Sequence, residues 1–188
     1  MPDPYFFGYG SLVNRRTHTY PNSHAARVTG WRRAWRKNAA LDRCVLSVVP
    51  APEDYVDGLI ASVPGSDWAA LDERERHYLR HDVSQMVRYP IDKALDVALY
   101  ATDPQVFLNP TEDDIVLLTY IDVVVQGLLA EFGPVGVDHF FEATQGWEIT
   151  VLDDRTAPIY PRHQKLVAEE TALVDAWISR LELRVIGP

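Results

Sequence analysis

The chain has 188 residues, enough for one domain with a full core and too few for two domains to be the natural reading. Hydrophobic residues make up 47% and charged residues 24%, as in an ordinary globular protein, which argues against disordered and fibrous classes. A net charge of −9 repels phosphate backbones and anionic lipid surfaces, so neither nucleic acid nor a membrane is expected as a partner.

The opening MPDPYFF has neither the basic nor the apolar region of a secretory signal. A single cysteine, Cys44, excludes an intrachain disulfide and favours a reducing compartment. A cytoplasmic protein is the expectation.

Tyr5 to Phe7 reads as a short buried strand that runs into a bare loop, Gly8-Tyr9-Gly10-Ser11-Leu12-Val13. Two familiar uses of such a loop fail on spacing. A dinucleotide-binding turn needs a third glycine where Val13 stands. A serine-hydrolase elbow needs glycines where Tyr9 and Val13 stand, and no base can be assigned to Ser11, so a turn role is preferred for that serine.

Further strands are expected over Ala26–Ala34, Val45–Val49 and Val56–Val63, each bounded by Pro, Gly or Asp. The basic run Arg32-Arg33-Ala34-Trp35-Arg36-Lys37 reads as a strand with an outward charged face rather than a base-stacking surface. Cys44 begins an apolar strand and reads as core rather than nucleophile.

Ser66 resembles an N-cap, and a helix of about three turns is expected from Asp67 to about Leu79. On that helix Trp68, Leu71, Tyr78 and Leu79 share a face, and at about 100° per residue Glu75 lies roughly 40° from Leu71. Glu73 falls on the opposite side. A carboxylate turned towards apolar surroundings costs several kcal/mol unless paired or protonated, and desolvation raises its pKa towards the range useful for proton transfer. Glu75 is therefore a candidate acid/base, the alternative being an ion pair with Arg32, Arg36 or Arg88.

Strands are expected again over residues 82–89 and 95–101, separated by Pro90. The turn Asn109-Pro110 introduces a helix with apolar residues at Leu117, Tyr120, Ile121, Val124, Leu128 and Phe132, ended by Gly133-Pro134. The acidic residues Asp122 and Glu131 argue against reading this stretch as a membrane span. A shorter helix follows around Val137–Thr144, then an irregular segment over 147–164 and a final amphipathic helix from about Val167 to Leu183. Strands in the first half and helices in the second indicate an α+β domain, with a helical C-terminal extension.

Other constellations are weaker. His77 and His81 are four residues apart but lack the intervening glutamate pattern and a third ligand, so no metal is expected. Arg155 and Arg162, in LDDRTAPIYPRHQ, have the fork to grip a carboxylate; pairing with Asp153 or Asp154 is the competing use.

FGYGSL after an N-terminal strand, Gly30-Trp31-Arg32-Arg33 some twenty residues later, Val56-Asp57-Gly58-Leu59 and Leu71-Asp72-Glu73-Arg74-Glu75 together resemble the γ-glutamylcyclotransferase superfamily, including its ChaC-like branch. The match is good over residues 5–80 and looser at Tyr100 and the Tyr120–Gly133 helix. The resemblance implies a small mixed β-barrel flanked by helices. It further implies that the amides of Tyr9, Gly10, Ser11 and Leu12, with Tyr120, bind a γ-glutamyl group and that Glu75 is the catalytic acid/base. The implied reaction converts a γ-glutamyl compound such as glutathione, a γ-glutamyl dipeptide or a γ-glutamyl amine to 5-oxoproline without cofactor. Arg76 stands where several members carry glycine, and APIYPRHQ has no counterpart in the pattern. A binding or regulatory protein with the same pocket is the rival reading.

Overall fold

The computed structural model describes residues 3–38 and 41–187. Its centre is a six-stranded sheet built from β1 (Tyr5–Gly8), β2 (His24–Arg36), β3 (Val45–Ser62), β4 (Tyr78–Asp82), β5 (Val87–Arg88) and β6 (Val97–Thr102). The strand order is β4-β6-β1-β3-β2-β5. The sheet curls strongly into a half-barrel and helices pack around it, giving the α+β, barrel-like architecture expected.

The strand β1 lies in the middle, antiparallel to β3 and parallel to β6. Both its faces are covered, which is why YFFG is an uninterrupted apolar run rather than an alternating one. Phe7 and Tyr5 join the main core with Trp35, Leu59 and Ile60, while Phe6 points the other way into a smaller core with Leu12, Leu71 and Tyr100.

A second sheet of three parallel strands, β7 (Ile115–Leu117), β8 (Thr150–Leu152) and β9 (Arg184–Ile186), stands beside the first. Helix α2 (Leu118–Ala143) starts directly from β7, and α3 (Ala168–Arg180) precedes β9. Ile121, Val124, Val125 and Leu128 of α2 are fully buried in the main core, as is Val174 of α3, and Trp177 of α3 is buried beside them. By length and composition α2 could cross a membrane, but its apolar surface is spent on the core of this fold. At Gly133 the backbone leaves helical geometry, with φ at 65°, so the break expected at Gly133-Pro134 is a kink between two helical stretches.

The structure corrects several boundaries. The helix expected over Asp67–Leu79 is α1, only Ala69–Arg74; Glu75 is its C-cap, and Tyr78 and Leu79 begin β4. Leu79 is accordingly exposed rather than on a buried helix face. Ser66 is not the N-cap; Asp67 instead accepts a hydrogen bond from the Ala69 amide. The two strands expected within 45–63 are one, β3, which runs through Pro50 and Pro52 because their register positions fall around the bulge opposite Thr29 and Trp31. The helix expected after Asn109-Pro110 begins later, at Leu118, once Ile115–Leu117 has joined the second sheet. Strand β9 lies beyond the helix expected as the end of the chain.

Arg33 is the main correction to side-chain orientation. The basic run was expected to face outward, but Arg33 is only 3% exposed. Alternation explains this: Arg33 shares a strand face with Trp31 and Trp35, and all three turn inward.

Candidate active site

The loop after β1 turns back on itself as a 3₁₀ turn, Ser11–Val13, closed by hydrogen bonds from Val13 N to Gly10 O and from Asn14 N to Ser11 O. A Cβ on Gly8 would lie 2.5 Å from the Leu12 Cβ, so this reversal needs a glycine there. The side chains of Tyr9 and Leu12 are buried, with the Tyr9 hydroxyl donating to Tyr100 O at 2.6 Å. Residues 8–12 all border the neighbouring cavity, and the two glycines among them present only backbone to it.

Three side chains fix that backbone. Arg33 donates through Nε to Tyr9 O at 3.0 Å and through its other nitrogen to Asp57 O. Burial lowers its pKa to about 10, yet it remains a cation at neutral pH. His18 reaches Leu12 O at 3.2 Å; burial, then the Arg74 charge, push its pKa down to about 4, so it is a neutral ring whose Nε2–H donates to that carbonyl. Asn14 donates to Val123 O and to Gln126 on α2, tying the turn to the long helix.

Glu75 comes to the same place from the other direction. Leu71, fully buried in the smaller core, anchors α1 against the sheet, and the helix ends one turn later with Glu75 N donating to Leu71 O. The Glu75 side chain is 17% exposed, whereas Glu73 is 78% exposed. The inward reading of Glu75 thus holds, although the turn at the helix end sets it rather than a longer helical face. Burial raises its pKa above the ordinary glutamate range, and the Arg74 and Arg162 charges pull it only part of the way back.

Arg74 joins the two halves. Its Nε lies 3.3 Å from Glu75 Oε1, and its other nitrogens donate to Ser11 Oγ at 3.1 Å and to Thr17 O at 3.2 Å. Sequence reasoning missed it, although its place three residues after Leu71, about 60° away on a helical wheel, puts it in the same arc as Glu75.

Tyr120, from the first turn of α2, completes the inner wall. The Ser11 backbone N–H faces its hydroxyl, and burial raises its pKa far enough to keep the hydroxyl protonated. These groups surround a narrow cavity of about 40 Å³ lined by Gly8 to Leu12, Leu46, Glu75, Tyr78, Tyr100 and Tyr120. An outer chamber of about 340 Å³ shares Ser11, Leu46, Glu75, Tyr78 and Tyr120 with it, and adds Arg43, Cys44, Arg74, Arg76, His77, Tyr160 and Arg162 among others. Every residue expected at the site, Tyr9, Gly10, Ser11, Leu12, Tyr120 and Glu75, borders the inner cavity.

The remaining candidates separate. Arg155 is taken up by Asp122 and Asp175 at 2.7 and 2.6 Å and lies away from the cavity, while Arg162 lines its outer chamber. Cys44 is buried at the chamber wall, its thiol pushed up to about 12 by burial, as fits a core residue. His77 lies between α1 and β4 and His81 within β4 against Trp31, so they are not paired on a helix. Arg76 is exposed at the chamber rim beside Glu73, adding charge to the mouth.

The sequence profile of the ChaC-like protein family matches residues 4–116, more than half of the chain. The chain belongs to the ChaC-like family. That family sits in the γ-glutamylcyclotransferase superfamily of enzymes, and the match ends within β7, short of Tyr120, Tyr160 and Arg162. No curated protein sequence matches this ChaC-like chain. Among solved structures, a γ-glutamyl cyclotransferase superposes with a TM-score of 0.59 at 15% identity, covering 93% of this chain and 99% of that one. The human uncharacterized protein loc79017 gives 0.60 at 15% identity with the same coverage. YkqA from Bacillus subtilis gives 0.60 at 15% identity, over 78% of this chain and 57% of that one. At such identity the likeness is one of fold.

Proposed function

We propose that this ChaC-like chain is a γ-glutamylcyclotransferase that closes a γ-glutamyl compound to 5-oxoproline and releases the amine or peptide. The observation that carries the reading is Glu75: a mostly buried carboxylate, its pKa raised by that burial, bordering the same narrow cavity as the backbone of Gly8 to Leu12. The buried Cys44 thiol fits a cytoplasmic setting for this work.

The nucleophile belongs to the substrate. Its α-amino nitrogen attacks its own γ-carbonyl carbon, the carbonyl π bond opens to an oxyanion, and collapse of that intermediate breaks the bond to the leaving nitrogen. Two protons leave the α-ammonium nitrogen and two reach the leaving nitrogen, so charge is conserved and one carboxylate used twice can carry both. In this reading Glu75 is that carboxylate, supported by a pKa that burial raises above the ordinary glutamate range. Loop amides supply donors for the oxyanion, and the protonated Tyr120 hydroxyl supplies another beside them. Ring closure is intramolecular, and well-oriented reactions of that kind reach effective molarities of about 10⁵ M or more, so holding the chain folded in the cavity contributes heavily.

The test is 5-oxoproline release, measured by mass spectrometry over glutathione, γ-glutamyl dipeptides and γ-glutamyl amines, with Glu75→Gln in parallel. The expected result is product from wild type and a loss of at least about 10²-fold in the variant. Folded wild-type protein that releases no product from any of these substrates would defeat the reading in favour of a binding protein.

A further inference from the structure

The outer chamber is cationic in a protein that is acidic overall. Among the described residues four arginines line it, Arg43, Arg74, Arg76 and Arg162, and Glu75 is the only acidic one to do so. Three of the four are engaged: Arg43 by Asp42 at 2.9 Å, Arg76 by Glu73 at 3.4 Å, and Arg74 by Glu75 and Ser11. Among the described residues, Arg162 is the one arginine of the chamber whose guanidinium has no hydrogen bond or ion pair within the chain.

Its position is built. Asp154, 1% exposed, accepts hydrogen bonds from Thr119 N at 2.9 Å and Thr119 Oγ1 at 2.6 Å at the start of α2, and from Ile159 N at 2.8 Å. Burial acts to raise its pKa, but these donors outweigh it and hold Asp154 ionised. The anchored segment then sets the Tyr160 ring edge-on against Tyr120, with centroids 5.1 Å apart, and carries Arg162 to the chamber wall. None of this segment lies in the part of the chain that matches the family profile.

Glu75 borders both cavities, so a γ-glutamyl group in the inner one directs its leaving group into the outer one. Resting on the cyclotransferase reading, we propose that Arg162 is a specificity-determining residue that binds a carboxylate on the leaving group, so that γ-glutamyl amino acids and peptides are preferred over γ-glutamyl amines. A guanidinium fork pairs two parallel donors with the two oxygens of a carboxylate, a contact that an amine leaving group cannot offer.

The experiment compares γ-glutamylalanine with γ-glutamylethylamide, which differ only by the carboxylate on the leaving group, in wild type, Arg162→Met and Arg162→Lys. The readout is the ratio of kcat/KM for the two substrates, because any effect of the Arg162 charge on Glu75 acts on both and cancels. A wild-type ratio of about 10 to 100 in favour of γ-glutamylalanine is expected, falling towards one in Arg162→Met through KM and partly restored in Arg162→Lys. A wild-type ratio near one, or an unchanged ratio in Arg162→Met, overturns the assignment while leaving the cyclotransferase standing. If wild type releases 5-oxoproline from neither compound, the cyclotransferase reading fails only if glutathione also yields none, and calorimetric binding of the two compounds decides the carboxylate site. Tighter binding of γ-glutamylalanine that is lost in Arg162→Met supports it; equal binding of both overturns it.

Discussion

The Tyr120 hydroxyl oxygen stands 2.6 Å from the point where a Cβ on Gly10 would be, and the next nearest Tyr120 atom, Cζ, is at 3.8 Å. The contact makes Gly10 and Tyr120 a sterically coupled pair: the glycine leaves room for one oxygen and little more. Gly10→Ala should push that hydroxyl from the cavity wall and cost about 1–3 kcal/mol of stability as an overpacked site. Tyr120→Phe removes the clashing atom and leaves ordinary contact distances, so the double variant Gly10→Ala/Tyr120→Phe should recover much of the loss. Denaturation of the two single variants and the double variant measures the coupling. Additive effects would show that the hydroxyl is not what excludes a side chain at Gly10.

Arg74 pulls the pKa of Glu75 down against the burial that raises it. If Glu75 is the proton carrier, the acid limb of kcat/KM should lie above the ordinary glutamate range, because the carboxylate form is lost as pH falls through the raised pKa. Arg74→Met withdraws a favourable charge and should move that limb to still higher pH. Arg74→Lys keeps the charge while losing the fork to Ser11, so its limb should stay near that of wild type even where turnover falls. A pH profile of 5-oxoproline release for the three proteins decides the matter; a limb that ignores the Arg74 charge would point to another group.

Arg33 bridges two buried carbonyls, Tyr9 O on the loop and Asp57 O on β3, in a position 3% exposed. Truncation to Met removes the buried charge but leaves both acceptors without a donor. The expected cost is on the order of 3 kcal/mol, read as a lower denaturation midpoint. Because one of the two acceptors belongs to the loop, hydrogen exchange of the amides over residues 9–12 should accelerate more than that of the β2 amides remote from Arg33. Uniform acceleration would make Arg33 a general core residue rather than a positioning residue for the loop.

These relationships differ in how far they could be read in advance. Glu75 was legible because a charged residue broke an apolar pattern, and the bare loop was legible because two glycines and a serine have few other uses. The length of α1 was not: its residues suit a longer helix, and the chain leaves the helix at Glu75 because Tyr78 and Leu79 are taken up by pairing with Thr102 and Ala101 of β6, a partner remote in sequence. Arg33 was misread as solvent-facing because charge was weighed above alternation, although Trp31 and Trp35 on either side carried the signal. The parallel sheet of β7, β8 and β9 was hidden by its three-residue strands, which have no periodicity of their own and form only once three distant segments meet.

Glu75 also makes a prediction about stability. A carboxyl group whose pKa is raised by folding binds its proton more tightly in the folded chain, so its contribution is fully present below the unfolded value of about 4.3 and is lost as pH rises through the folded value. Glu75→Gln has no such proton to lose. Compared with wild type, the variant should therefore gain stability as pH rises from about 4 through the raised pKa, and the gain should level off above it. The Arg74 ion pair forms only with the ionised carboxylate, so it opposes the burial over the same pH range, and the net upward shift of the pKa already contains it. Thermal midpoints of both proteins measured from acid to neutral pH give the comparison. Parallel curves would mean that Glu75 titrates alike in the folded and unfolded chains, and a gap that closes with rising pH would mean that its ion pair with Arg74 outweighs its burial.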